Sequence, residues 1–167
     1  MNIDSLNRKF FGFLEKDYGF KYGKSTFYNQ DAEFSIFVYG DNLPILSLIE
    51  ISIWFKAEPK CTRISFRWIA KYFGLRLDLD FEQMPNSLAK NYSKSSSALQ
   101  ECMPKILSSR EEWLLPSMKL YFDWEQKNTF HNNVVLMLSK PDVLEMYDYI
   151  RSKDPSWNPS WPSWTPS

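Results

Sequence analysis

The chain has 167 residues, of which 44% are hydrophobic, 17% aromatic and 24% charged. This is about the length of one domain, and the composition suits a packed core, which argues against a mainly disordered chain. Twenty basic residues balance 20 acidic ones, so no global field attracts the protein to nucleic acid or to an anionic membrane.

The cellular compartment is predicted from the absence of targeting and membrane-spanning patterns in the sequence. Its first 20 residues contain no basic segment followed by an apolar run and a cleavage site. No apolar run approaches the roughly 20 residues that a membrane helix needs. Cys61 and Cys102 are too few for a disulfide framework and are predicted to be buried free thiols. We therefore expect a cytoplasmic protein without a membrane span.

The N-terminal third is predicted to form a helix followed by strands. Apolar residues at helical spacing indicate an amphipathic helix over 3–18, capped by Asn2 or Asp4 and ended by Gly19. Alternation in FSIFVY and in ILSLIEISIWFK then predicts two antiparallel strands joined by a turn at Gly40-Asp41-Asn42. The second strand has apolar residues on both faces and is expected to be central.

Two further strands and three helices follow. CTRISFRW and LRLDLDFE, at 61–68 and 75–82, both alternate between apolar and polar residues and are predicted to be strands. Helices are predicted over 86–103, with a break or kink at Pro104, and over 111–126. A short strand is predicted over 133–138, and a capping box at 139–142 is predicted to open a last helix over 143–150.

This order of elements predicts an α+β fold. We expect an antiparallel sheet of about four to six strands, with an N-terminal helix and C-terminal helices packed on one face. Residues 1–153 are predicted to form one domain, and 154–167 an extended tail rich in Pro, Ser and Trp.

No pattern in the sequence indicates a catalytic site. His131 is the only histidine, and neither HExxH, CxxC nor a glycine-rich phosphate loop is present. Asp78, Asp80 and Glu82 could hold a hard cation on one strand face, but a solvated face is the favoured interpretation. We expect no catalytic residues, no metal and no cofactor.

Two stretches mix charged and aromatic residues. In RISFRWIAKYFGLR, cations among aromatics suit single-stranded nucleic acid, although a core strand with a wet face explains the same pattern. The candidates there are Arg63, Arg67, Trp68, Lys71 and Arg76. In REEWLLPSMKLYFDWEQ, an acidic rim around aromatics suits a basic protein partner, although an amphipathic helix is the simpler explanation. The candidates there are Glu111, Glu112, Trp113, Tyr121, Asp123, Trp124 and Glu125.

The tail repeats Pro-Ser-Trp three times. Its prolines favour an extended path with little entropy to lose on docking, so Trp157, Trp161 and Trp164 are also candidate contacts. Docking on the chain's own domain is the favoured outcome, since three exposed Trp would be unusual. A disordered end is the alternative.

The stretches FFGFLEKDYGFKYGKSTFYN, FSIFVYG and ILSLIEISIWF resemble the start of small bacterial immunity proteins of toxin–immunity systems. The shared pattern is an N-terminal helix ending in GF, followed by antiparallel strands. The resemblance implies a cytoplasmic protein that neutralises a cognate toxin by covering it, and carries over no functional residue. The leading hypothesis is thus a non-enzymatic protein-binding module. A single-stranded nucleic-acid binder is the alternative, and an enzyme of unknown chemistry is the third.

Overall fold

The computed structural model describes residues 2–39, 48–56, 63–77, 86–127 and 140–158. The helices within these ranges are α1 (Ile3–Phe11), α2 (Phe13–Tyr18), α3 (Phe66–Tyr72), α4 (Asn86–Ser108), α5 (Arg110–Lys127) and α6 (Lys140–Lys153). The strands are β1 (Lys21–Gly23), β2 (Thr26–Tyr28), β3 (Ala32–Tyr39), β4 (Leu48–Phe55) and β5 (Arg63–Ser65). They form one antiparallel sheet in the order β1-β2-β3-β4-β5, which confirms the predicted α+β class.

The predicted N-terminal helix is divided into α1 and α2. Asn2 caps α1, because its side-chain oxygen accepts the Asp4 backbone N–H at 3.0 Å. Gly12 joins the two helices, and Gly19 ends α2 with a left-handed φ of 69°. The two ends were therefore predicted correctly, and the interruption was not.

Gly12 is the residue that this joint requires. A Cβ added there would lie 2.5 Å from the backbone carbonyl oxygen of Arg8, so the helix junction would have to shift. We expect Gly12→Ala to lower the free energy of unfolding by roughly 1–3 kcal/mol, the usual cost of overpacking. Gly23→Ala is the control, because its Cβ would meet the Tyr28 side chain at ordinary distances, 3.6 Å from Cε1 and 4.0 Å from the hydroxyl oxygen. Equal denaturant midpoints for the two variants would contradict this account of the joint.

A hairpin between β1 and β2 was missed by the sequence analysis. Its two-residue turn, Lys24-Ser25, has positive φ angles of 52° and 60°. Such turns normally carry Asn-Gly or Asp-Gly, so Lys-Ser gave no recognisable signal. The short strands on either side likewise showed no alternation long enough to detect.

The two longest strands confirm the predicted alternation. In β3 and β4, Phe34 pairs with Ile53 and Ile36 pairs with Ile51, and all four side chains are buried. The other face carries Ser35 opposite Ser52 and Glu33 opposite Trp54. β4 has β3 on one side and β5 on the other, as expected of a central strand. The turn predicted at 40–42 lies outside the described residues.

The strand predicted over 61–68 is wrong beyond Ser65. The Ser65 hydroxyl accepts the Arg67 backbone N–H at 3.2 Å, which caps α3 and turns the chain from strand to helix. Residues 75–77, the described part of the next predicted strand, lie outside the sheet, and 78–82 lie outside the described residues, as does the strand predicted over 133–138.

Two prolines lie inside helices. Of the break or kink predicted at Pro104, the break is wrong, because α4 continues to Ser108, and the kink stays a prediction. Pro116 is also accommodated within α5, and α6 begins at Lys140, close to its predicted start.

The core lies between the sheet and the helices. α3 and α4 both contact β4, while α5 packs against α3 and α4. The largest fully buried side chains are mostly aromatic, which explains the high aromatic content of the chain. They include Phe11, Phe27, Phe34, Phe66, Tyr92, Trp113 and Phe122.

Candidate protein interface on α5 and α6

Two of the predicted contact residues belong to the core instead. Trp113 is 0% exposed, its Nε1 donates to the Ile106 carbonyl oxygen at 3.3 Å, and its ring centroid lies 5.7 Å from that of Phe55. Tyr121 is 6% exposed and packs edge-on against Trp68 at 6.1 Å. Because neither side chain is available to a partner in this fold, both are removed from the candidate contacts.

The carboxylates of the same helix are exposed. Glu111 and Glu112 lie in the first turn of α5, where negative charge is favourable, and Asp123 is exposed farther along the helix. Glu112 and Asp123 are 11 residues apart, about three turns, which puts them on one side of α5. Trp124 and Glu125 also belong to α5, but their side chains fall outside what the structure describes.

α6 adds two exposed carboxylates that the sequence analysis did not select. Glu145 and Asp148 are three residues apart and therefore share one side of the helix. We call Glu111, Glu112, Asp123, Glu145 and Asp148 the acidic set. Within the described part of the chain, none of their carboxylates makes a side-chain hydrogen bond or an ion pair.

By contrast, the cations described on α5 and α6 are engaged by the chain itself. Arg110 lies over the Phe55 ring at 4.3 Å, and Lys153 lies over the Tyr149 ring at 5.8 Å. Lys119 pairs with Asp154 at 2.6 Å, and Arg151 donates to two backbone carbonyls. Each described cation of these two helices thus has an intramolecular partner, whereas the carboxylates of the acidic set are exposed to solvent.

The first part of the tail docks on α5 and α6. The Trp157 ring lies 5.2 Å from Phe122 and 5.7 Å from Tyr147, centroid to centroid. Arg151 Nη1 donates to the carbonyl oxygens of Pro155 and Trp157, each at 2.6 Å. This is the intramolecular docking expected from the sequence, for the tail as far as Asn158. Trp161 and Trp164 lie outside the described residues.

A short turn connects α6 to that docked ring. The Asp154 carboxylate accepts the Ser156 backbone N–H at 3.1 Å, and the Asp154 carbonyl accepts the Trp157 N–H at 3.1 Å. Asp154 also receives the Lys119 ammonium. The hydrogen bond from Lys119, followed by that from Ser156, lowers the pKa of Asp154 from 3.8 to about 2.

This shift predicts an acid-sensitive turn. Because the pKa of Asp154 is lowered on folding, its contribution is complete above pH 3.8 and is lost as the pH falls through about 2. We expect the Ser156 amide resonance to titrate with a midpoint near 2 in the intact chain. In Lys119→Met the midpoint should rise toward 3.8. Identical midpoints would show that Lys119 does not hold this carboxylate.

The basic stretch is divided by the strand-to-helix junction. Arg63 lies in β5 and Arg67 in α3, so the stretch does not form one continuous element. Arg67 is half-buried, and Trp68 is only 5% exposed, which removes it as a stacking surface. The side chain of Arg63 falls outside what the structure describes.

Around the end of α3, part of the basic and aromatic stretch forms a small exposed surface that we call the corner. Lys71 and Arg76 are exposed, and Tyr72 is 39% exposed with its ring 5.1 Å from Phe73. Lys105 of α4 lies over the Phe73 ring at 5.1 Å. Sequence spacing could not reveal Lys105, because only the packing of α4 near α3 brings it there.

Cys102 is the cysteine that lies within the described residues. Cys102 is buried, and burial together with the charge of Glu101 raises the pKa of its thiol to about 11, so it is a poor nucleophile. No metal-binding group of three or more His, Cys, Asp or Glu occurs within the described ranges, and no helix there could cross a membrane. His131, Cys61, Asp78, Asp80 and Glu82 lie outside them.

No known protein family, curated protein or solved structure matches this chain.

Proposed function

We propose that the protein is a non-enzymatic module that binds a basic protein partner through the acidic set on α5 and α6. One observation carries the proposal: internal partners engage the described cations of these helices, while the five carboxylates remain exposed and unpaired within the described chain. Net charge is zero over the whole molecule, yet this region presents negative charge to solvent.

The helices suit this role because they hold the carboxylates on a fixed support. α5 is anchored in the core by Trp113, Leu114, Met118 and Phe122. A rigid charged surface mainly accelerates association and selects a partner of opposite charge. Affinity would still require apolar contacts at the centre of the interface. Trp161 and Trp164 of the tail are the proposed source, because Trp157 packs against Phe122 and Tyr147 of its own chain.

A narrower form of the proposal is an immunity protein. The N-terminal pattern of a helix ending in GF before antiparallel strands supports it, and covering a cationic toxin surface would match the acidic set. A cytoplasmic location fits the buried, reduced Cys102, because free thiols are typical of reducing compartments.

Neutralisation of matched carboxylates tests the proposal. The test variant is Glu111→Gln, Glu112→Gln and Asp123→Asn together. The control is Asp17→Asn, Asp31→Asn and Glu101→Gln, which changes the net charge equally at exposed sites elsewhere. A protein captured by the full chain from native cells should bind the test variant on the order of tenfold more weakly, and the control almost unchanged. Equal binding of all three forms would remove α5 from the interface.

Single-stranded nucleic-acid binding is the second candidate. The observation in its favour is Lys105, which brings a cation from α4 to the exposed corner of Lys71, Tyr72 and Arg76. If this corner binds phosphates, affinity for a single-stranded oligonucleotide should fall with salt, and Lys105→Ala should reduce that salt dependence. Salt-independent binding, or no binding, would exclude it.

A further inference from the structure

The C-terminal turn shows how one Pro-Ser-Trp unit is recognised. The Trp157 ring lies beside Phe122 and Tyr147. The Arg151 guanidinium donates to the backbone carbonyls of Pro155 and Trp157. We call the site formed by Phe122, Tyr147 and Arg151 the Trp groove. The groove thus contacts a large ring and the backbone carbonyls on either side of a serine. Another Pro-Ser-Trp turn would present the same groups.

Asp154, the residue before the proline, also takes part in these contacts. The Asp154 carboxylate accepts hydrogen bonds from the Ser156 N–H and hydroxyl, and these close the turn. The same carboxylate also accepts a hydrogen bond from the Lys119 ammonium. Closing the turn needs a side-chain oxygen at this position, which Asp and Asn both have. The unit that the groove recognises is therefore Asx-Pro-Ser-Trp.

The chain contains this unit twice in succession. Residues 154–157 read Asp-Pro-Ser-Trp and 158–161 read Asn-Pro-Ser-Trp, whereas the third repeat, 161–164, has Trp in the first position. One groove is described per chain, and the first unit occupies it. The second unit is thus a duplicate ligand, lacking only the charge that Lys119 binds.

We propose that the Trp groove is a binding site for Asx-Pro-Ser-Trp turns and that residues 158–161 of a second copy of this chain are its alternative occupant. The directly linked first unit has an effective concentration in the millimolar range, so exchange between copies requires high protein concentration. Reciprocal exchange would give a symmetric dimer. This inference is independent of the acidic set.

The groove is tested with a full-length variant that carries Trp157→Ala, Trp161→Ala and Trp164→Ala and so has no tail Trp of its own. The probe is a fluorescent, end-capped peptide of residues 158–161, and anisotropy is measured after a cooperative melt has been verified. We expect saturable binding that is at least about tenfold weaker to the native chain, whose groove is filled. Adding Arg151→Met to the variant should abolish binding.

Three results would overturn the groove as a site. They are no saturable binding to a cooperatively folded variant, equal binding to the native chain, or equal binding of a peptide with the scrambled order Trp-Asn-Ser-Pro. The last result would indicate a general apolar contact without recognition of the turn.

Binding of residues 158–161 of one chain to the Trp groove of another is tested on the native protein. Sedimentation equilibrium should show an average mass that rises with concentration toward the millimolar range, and Trp161→Ala should remain monomeric at every concentration. A native chain that stays monomeric throughout, or a Trp161→Ala chain that associates equally, would overturn the exchange.

Discussion

Replacing Trp113 with alanine is expected to lower the free energy of unfolding by about 3–5 kcal/mol, the usual cost of removing a buried aromatic ring. The side chain is fully buried, packs against Phe55, and leaves the Ile106 carbonyl without its indole donor when it is removed. Chemical denaturation monitored by circular dichroism would measure the loss.

Leu107→Ala is the control for Trp113, since Leu107 is 44% exposed. We expect it to change stability by no more than about 0.5 kcal/mol, as exposed substitutions usually do. Trp113→Phe should retain much of the packing and leave partner binding intact. A Trp113→Ala protein of native stability that has lost partner binding would contradict the core position of this residue and restore it as a contact.

The second large effect is expected in a hydrogen-bond network that joins α1, the β1–β2 hairpin and α4 and is buried at its Asn7–Tyr92 end. Tyr92 donates to Asn7 Oδ1 at 2.7 Å, Asn7 Nδ2 donates to the Tyr22 hydroxyl at 3.1 Å, and Tyr22 donates to Asp4 at 2.6 Å. Asn7 and Tyr92 are both fully buried. Burial raises the pKa of Tyr92, which keeps its hydroxyl protonated as the donor.

Asn7→Ala should lower the free energy of unfolding by about 1–3 kcal/mol, because it leaves the Tyr92 hydroxyl buried without an acceptor. Tyr92→Phe removes that hydroxyl and leaves Asn7 unpaired instead. The double variant lacks both the Asn7 amide and the Tyr92 hydroxyl, so neither is left buried without the other. Its loss in free energy of unfolding should therefore be smaller than the sum of the two single losses by about 0.5–3 kcal/mol. Additive losses in this denaturation cycle would show that the hydrogen bond does not couple the two residues.

The sequence revealed the parts of the fold that depend on long, regular patterns. β3, β4 and the helices α4 to α6 were recognised because alternation or helical spacing continues over several residues. Short elements escaped: the Lys24-Ser25 turn lacks the usual glycine, and Ser65 acts as a helix cap inside what looked like a strand. At Pro104 the local rule failed, because α4 includes this proline and continues to Ser108.

The candidate site was predictable only in part. The acidic and aromatic residues of α5 were selected together, but their separation into a buried and an exposed group required the packing of α5 against α3 and α4. Arg151 and Lys119 were not selected, since their roles depend on the carbonyls and carboxylate of a turn formed after α6 ends. Such contacts leave no spacing signal in the sequence.

The most direct test of the proposed function compares the affinity of one purified partner for three forms of the full chain: native, the α5 variant with three neutralised carboxylates, and the equally charged control at Asp17, Asp31 and Glu101. We expect weaker binding, on the order of tenfold, for the α5 variant alone, mostly through slower association. Equal affinities for the α5 variant and the native chain would contradict the acidic set as the binding surface.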